Sequence, residues 1–179
     1  MKVVIFSDSH GDVEIMVQVI EKEKPEMIIH LGDGKADVEQ LKVQYPSLPL
    51  INVLGNVDSD QVNEEWIKFT EIAGKRIVLV HGHLMINETK APKQTDENRI
   101  SSRNKMLKLI DEHDADILMH GHSHEAFMHR TKALSGKTCW IMNPGSISRE
   151  KNVIAKPIYA VLKIKKSGAC KWEFKEVTV

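Results

Sequence analysis

Five short apolar runs in this chain end the same way, each giving way to a loop that presents Asp, Asn or His. They are Phe6-Ser7-Asp8, Leu31-Gly32-Asp33, Leu54-Gly55-Asn56, Val80-His81 and His120-Gly121-His122, the last four followed or interrupted by glycine. Short runs that are apolar throughout read as strands buried on both faces. In α/β sheets, ligands bind beyond the carboxyl ends of the strands. The pattern therefore restricts the chain to folds that bring several strand ends, with their polar groups, to one rim. Asp8/His10 and His122/His124 add pairs at i, i+2 spacing, which in extended backbone project to the same side.

The spacing between these runs sets the class of fold. Strands are expected over 3–6, 27–31, 50–54 and 117–119, with helices over 12–24, 36–45 and 96–112 between them. Asp12 is the expected N-cap of the first helix, whose apolar stripe is Ile15, Met16, Val19 and Ile20. Ile100, Met106, Leu107 and Ile110 are expected to face inward from the 96–112 helix. Residues 66–72 and 76–80 read as a hairpin turning at Gly74-Lys75. The polar stretch 87–98 reads as a loop.

From residue 126 onward, strands over 126–131, 138–142, 157–164 and 169–177 follow without helices. Gly136-Lys137 and Ser167-Gly168 mark turns between them. Helix-separated strands favour parallel pairing and helix-free strands antiparallel pairing. The expected fold class is α/β: a layered β-sandwich of two mixed sheets flanked by α-helices, in a single domain spanning 1–179.

Composition narrows the function by exclusion. Lys plus Arg and Asp plus Glu are both 25, for a formal net charge of zero. No global field then favours nucleic acid or a membrane surface. No apolar run approaches the roughly 20 residues of a membrane helix. Met1-Lys2 leads directly into a strand with no export signal, so a cytoplasmic location is expected. Cys139 and Cys170 read as two small buried hydrophobes, with no disulfide expected.

The chemistry lies in the strand ends. Taken singly, Asp8 or Asp33 reads as a cap or turn former, Asn56 as a turn residue, and a lone His as a hydrogen-bonded structural residue. Jointly, two Asp, one Asn and several His form an inventory suited to divalent metals. Asp-x-His, Gly-Asp, Gly-Asn, His-Gly and Gly-His-x-His, in that order, followed by Asn143-Pro144-Gly145-Ser146, resemble the calcineurin-like metallophosphoesterases. The likeness extends to the small single-domain bacterial and archaeal phosphodiesterases of that superfamily and covers the whole chain.

The resemblance implies two divalent metal ions, with Mn preferred and Ni, Fe, Co or Zn compatible with the mixed N/O donors. Asp8, His10, Asp33 and His124 would hold one ion. Asp33, Asn56, His81 and His122 would hold the other, with Asp33 bridging. Two such ions and two carboxylates leave about +2, enough to attract a phosphate ester and favour hydroxide from a bridging water. The implied activity is phosphodiester hydrolysis of small or nucleotide-like esters by that hydroxide. Asp33, Asn56 and His83 are the expected catalytic residues, with His83 beside the metals or facing the substrate.

One departure stands out: many members read Gly-Asn-His-Asp/Glu, and this chain reads Gly55-Asn56-Val57-Asp58. A general acid contributes about 10²- to 10⁴-fold, so slow turnover and good leaving groups are expected with Val57 in its place. His30 and His120 read as buried strand residues, His113 and His129 as surface positions, and Arg149 as an exposed loop residue. Residues 87–98 and 147–156 are expected to shape the pocket. The expected partner is a small phosphate-ester substrate, with no membrane and no evident nucleic-acid-binding patch, and with homo-oligomerisation open. The alternatives are a phosphomonoesterase or phosphoprotein phosphatase, or a non-catalytic protein-binding scaffold like the retromer subunit of this fold.

Overall fold

The computed structural model describes residues 1–58, 66–85, 96–149 and 156–177, with side chains omitted at 96–99. Two five-stranded mixed sheets pack face to face. The first contains β1 (Lys2–Phe6), β2 (Met27–His30), β3 (Leu50–Asn52), β9 (Ile158–Ile164) and β10 (Cys170–Glu176), in the order β10-β9-β1-β2-β3. The second contains β4 (Ile67–Ile72), β5 (Lys75–Val80), β6 (Ile117–Met119), β7 (Phe127–Lys132) and β8 (Thr138–Asn143), in the order β4-β5-β6-β8-β7. Helices α1 (Val13–Glu23) and α2 (Lys35–Gln44) pack on the first sheet. Helix α3 (Asp96–Glu112) packs on the second. The expected layered α/β sandwich is therefore the observed one.

Strand alternation explains why runs that are apolar throughout are needed. Val3 and Ile5 face the other sheet, while Val4 and Phe6 face α1. Ile77 and Leu79 likewise enter the inter-sheet core, and Val78 and Val80 turn toward α3. Each such residue is at most 2% exposed, and fully burying one stabilises by roughly 1.5–3 kcal/mol. Truncating Leu79 to Ala would cost about 2–5 kcal/mol. The stripe Ile15, Met16, Val19 and Ile20 is buried as its spacing requires.

Several expectations need correction. Asp12 sits at the N-cap of α1, but its side chain does not cap the helix. It instead receives the Arg149 backbone N–H at 2.6 Å and pairs with the guanidinium at 3.1 Å. The β4–β5 turn is Ala73-Gly74, one residue earlier than expected. Both residues have positive φ, 49° and 75°, as a two-residue hairpin of type I′ demands. Ile100 is 59% exposed, although it lies only about 20° around α3 from buried Leu107, because it stands two turns nearer the amino end of the helix.

Strand β3 ends two residues early. Cys139 is buried, but Cys170 is only half-buried, at the start of edge strand β10. The helix-free strands form the hairpins β7–β8 and β9–β10, as expected. However, β8 also pairs with β6 in parallel. The chain steps outward to β7 and returns through β8, so the pair adjacent in space is not adjacent in sequence. Among the described residues, no helix is long and apolar enough to cross a membrane.

Candidate metal centre

β1, β2, β5 and β6 run parallel within their sheets, so their carboxyl ends reach a common rim. The loops beyond them are tied together through the backbone. Asp8 N–H donates to the Gly32 carbonyl at 2.9 Å, His10 N–H to Asp33 at 3.1 Å, and Gly121 N–H to His81 at 2.9 Å.

Two ligand groups result, Asp8/His10/His124 and Asp33/His81/His122, with one donor atom per residue and all atoms of a group within 4.8 Å of one another. The i, i+2 spacing works differently from the sequence expectation. Asp8 and His10 enter one group, but His122 and His124 are split between the two. Nor is the backbone extended: Asp8, His10, Asp33, His122 and His124 have φ between 45° and 70°. Left-handed backbone is uncommon outside glycine and clusters where structure serves function. Close loop packing adds to it, since a Cβ on Gly55 would overlap Asp33 Oδ1 and come within 2.5 Å of the Asp33 backbone nitrogen.

Each carboxylate has one oxygen held and one presented. Asp8 Oδ2 accepts from the Ser7 hydroxyl at 2.5 Å and from the His122 N–H at 3.0 Å. Its Oδ1 lies 3.2 Å from His124 Nε2 and 3.8 Å from His81 Nε2, yet is buried without a hydrogen-bond partner. Asp33 Oδ1 accepts the Val57 N–H at 2.9 Å. Its Oδ2 lies 3.3 Å from His81 Nε2 and 3.9 Å from His10 Nε2, between the two groups. His81 Nδ1 donates to the Leu31 carbonyl at 2.7 Å, which turns Nε2 inward as the lone-pair nitrogen. That Nε2 also lacks a hydrogen-bond partner.

The electrostatics favour a cation. Burial raises the Asp33 carboxyl, but the imidazole of His81, 3.3 Å away, outweighs it and brings it down to about 2. Burial likewise opposes the net lowering of Asp8, which His124 and His81 produce. His81 is shifted upward despite burial, by Asp33 and Asp8. His83 falls to about 4, from burial and then the charges of His81 and His122.

Burial also brings His30 and His120 to about 4, so both are neutral near pH 7. His30 is more than strand packing: its Nε2 lies 3.0 Å from Ser9 Oγ and its Nδ1 accepts the Gly32 N–H. His113 and His129 are exposed, with His113 stacked on Phe69 at 3.5 Å. Asn56 and Val57 are exposed on the loop beside Asp33. His83 packs 4.6 Å from Trp66 and 5.6 Å from His81, ring to ring, and its Nδ1 has no hydrogen-bond partner. Of the expected pocket-shaping segments, 87–95 and 150–155 lie outside the described residues.

Sequence reasoning gave no role to the residues that hold the loops, although Asp58, Asn143 and Ser146 lie in motifs it singled out. Asp58 accepts four backbone N–H groups: Gly34 and Lys35 on Oδ1 at 2.9 and 2.8 Å, Asp33 and Gly55 on Oδ2 at 2.7 and 2.9 Å. Buried Asp37 accepts from Ser9 Oγ at 2.6 Å and from the Gly11 N–H at 2.9 Å. Asn143 Nδ2 donates to the Gly121 carbonyl at 2.8 Å, and Ser146 Oγ to the Asp8 carbonyl at 2.9 Å. Asp58 could have been found, because it closes the motif Gly55-Asn56-Val57-Asp58.

With this geometry in place, comparison with known proteins is informative. Residues 1–167 match the family described as the calcineurin-like phosphoesterase superfamily domain. The probable metallophosphoesterase YsnB of Bacillus subtilis is 34% identical over 173 residues, covering 94% of this chain and 88% of that protein. A conserved protein of Streptococcus pneumoniae, described as a predicted phosphoesterase, superposes with TM-score 0.69 at 24% identity, covering 98% of this chain and 88% of that one. Wild-type Vps29 of Entamoeba histolytica, solved with zinc, superposes with TM-score 0.63 at 20% identity over 98% of this chain and 99% of its own. At those identities, the two structures show a shared fold.

Proposed function

The chain belongs to the calcineurin-like phosphoesterase superfamily, and on that premise we propose that it is a phosphodiesterase whose single domain, 1–179, holds two divalent ions. The carrying observation is the placement of Asp33 Oδ2 between His81 and His10, which joins two three-residue ligand groups through one carboxylate. The residues fit such ions. Their donors mix nitrogen and oxygen, and the buried Asp8 Oδ1 and His81 Nε2 have no other hydrogen-bond partner. Mn²⁺ is the preferred ion, and the location is cytoplasmic.

Bound there, divalent ions supply Lewis acidity toward a phosphoryl oxygen and lower the pKa of water. The chain's own residues do the rest. The Leu31 carbonyl fixes the tautomer of His81, and Ser7 and His122 N–H orient Asp8. Asp33 and Asn56 would join His81 and His122 in holding one ion, Asp33 would also join Asp8, His10 and His124 in holding the other, and His83 would face the substrate from beside the His81 and His122 rings. Val57 offers no proton to a leaving oxygen, which favours esters whose leaving groups need none. That preference suits diesters of acidic alcohols.

The test is a metal-by-substrate panel, with Mn²⁺, Ni²⁺, Co²⁺, Fe²⁺ and Zn²⁺ against bis-p-nitrophenyl and p-nitrophenyl phosphate. The expected result is two ions per chain and faster diester than monoester hydrolysis. Asp33→Asn should lose both metal and activity, and wild-type behaviour of that variant would defeat the two-ion reading. Unchanged diester hydrolysis in His83→Ala would remove His83 from the site. Protein that binds no Mn²⁺ and hydrolyses neither ester would instead be a scaffold.

A further inference from the structure

Beside the metal centre, α3, β7 and the loop over 120–125 enclose a second cleft of about 690 Å³, within the roughly 300–1,000 Å³ of small-molecule sites. Met106, Phe127, Met128 and Ile141 supply apolar walls, and His120 and Ser123 supply polar ones, with the charged Arg103 and Glu125 among the other lining residues. Ser123 stands between His122 and His124, so whatever occupies the cleft bears on the loop that carries two ligand residues.

His120 is the unusual member. It is 2% exposed, and its Nδ1 lies 3.0 Å from the Gly121 carbonyl. The Asn143 amide also lies 3.5 Å from Nδ1, but the carbonyl is nearer and only accepts, which assigns the proton to Nδ1 and leaves Nε2 as an acceptor. That Nε2 is buried with no hydrogen-bond partner. Buried polar groups are ordinarily satisfied, and an exception calls for a reason. Phe127 packs its ring 5.3 Å from that of His120 at 58° and remains 37% exposed. The thioethers of Met106 and Met128 suit aromatic edges.

We propose that this cleft binds a planar heteroaromatic ring with an N–H donor on its edge, as in an aminopurine nucleoside, with the donor on His120 Nε2 and the ring against Phe127. The ring belongs either to the base end of the substrate or to a separate effector. The cleft uses no metal ligand, so it goes beyond the proposed hydrolysis and can fail independently of it.

Adenosine carries the ring and the amine but no phosphate, and purine riboside lacks only the amine. Both are titrated into the metal-loaded protein by calorimetry. Adenosine is expected to bind about tenfold tighter than purine riboside. Phe127→Ala should weaken adenosine about tenfold through lost stacking. His120→Asn places an amide where Nδ1 was and removes the acceptor, so it should bring adenosine to the affinity of purine riboside. Circular dichroism melting of each variant reports whether the fold is retained.

Competitive inhibition of diester hydrolysis by adenosine assigns the ring to the substrate, and non-competitive inhibition or activation assigns it to an effector. Either supports the cleft. No saturable binding of adenosine to the wild type overturns the proposal, as does binding indifferent to both the amine and Phe127. Because the probe has no phosphate, failure to bind it leaves the hydrolytic reading standing, and failure to hydrolyse diesters leaves the cleft standing.

Discussion

Asp58→Asn isolates the loop scaffold from the ligands. The carboxylate serves two backbone N–H groups on each oxygen, and the amide keeps only one accepting oxygen. Whichever way it turns, two N–H groups face an NH₂ instead of an acceptor. Typical hydrogen bonds contribute about 1 kcal/mol net each, and water reaches this half-buried position, so the loss is about 2 kcal/mol. For a chain of this size, about 2–4 °C accompanies each kcal/mol, so Tm should fall about 4–8 °C. If the amide replaces Oδ2, the Asp33 backbone is released. If it replaces Oδ1, the first turn of α2 loses both an acceptor and a favourable negative charge. Groups that orient ligands typically change metal affinity by about 10- to 100-fold, so Mn²⁺ binding should weaken on that scale. Calorimetric melting and Mn²⁺ titration measure the two effects. A variant that melts within about 1 °C of the wild type and binds Mn²⁺ equally would refute the reasoning.

Gly55→Ala should largely abolish activity, because the new Cβ overlaps Asp33 Oδ1. Overpacking of this kind costs about 1–3 kcal/mol, read as lost turnover with a lower Tm. Glu23 offers a pH test. Burial raises its carboxyl, but Lys175, Tyr159 and Lys2 outweigh burial and lower it below 4.5. A lowered carboxyl contributes stability that is present above the unfolded value and lost as pH falls through the folded one. Glu23→Gln should therefore be destabilised at pH 7 and converge on the wild type only as pH falls through the lowered folded value of Glu23, as chemical denaturation across pH will show. Val57 is 66% exposed, so Val57→His should leave Tm unchanged. If the missing proton donor limits turnover, that variant should gain rate on esters with poor leaving groups, with about 10²-fold at the low end of general-acid catalysis. Equal rates on those esters would count against the role assigned to the missing histidine.

The sequence made the ligands legible because each one ends an apolar run, and burial of both sheet faces makes those runs conspicuous. It also conveyed a wrong reason for their convergence. Extended i, i+2 geometry was a natural reading of Asp8-Ser9-His10, but five ligand residues are left-handed, and the enrichment of Asp and His at positive φ is too weak to mark particular positions. The parallel β6–β8 pair was illegible because local pattern does not encode which strands become neighbours after a crossover. Asp37 and Asp58 were missed for a related reason. Their partners, Ser9, Gly11 and the backbone of 33–35, lie 23 to 28 residues away, and a lone Asp in a loop looks like any turn former. Asp12 shows the reverse error, in which a good local signal for a cap is overridden by Arg149, 137 residues away.

The Ser146-to-Asp8 hydrogen bond joins residues 138 apart, and His122 N–H reaches Asp8 across 114. Contacts of such separation form late, after the loop between them has closed. A nascent chain emerging amino end first therefore exposes Asp8, His10 and Asp33 long before His122, His124 and Ser146 exist to complete their surroundings. The set of ligand residues is therefore incomplete until His124 has been made, and the bond that steadies Asp8 until Ser146 follows. Backbone hydrogen bonds of the folded chain thus set where the ligand residues stand.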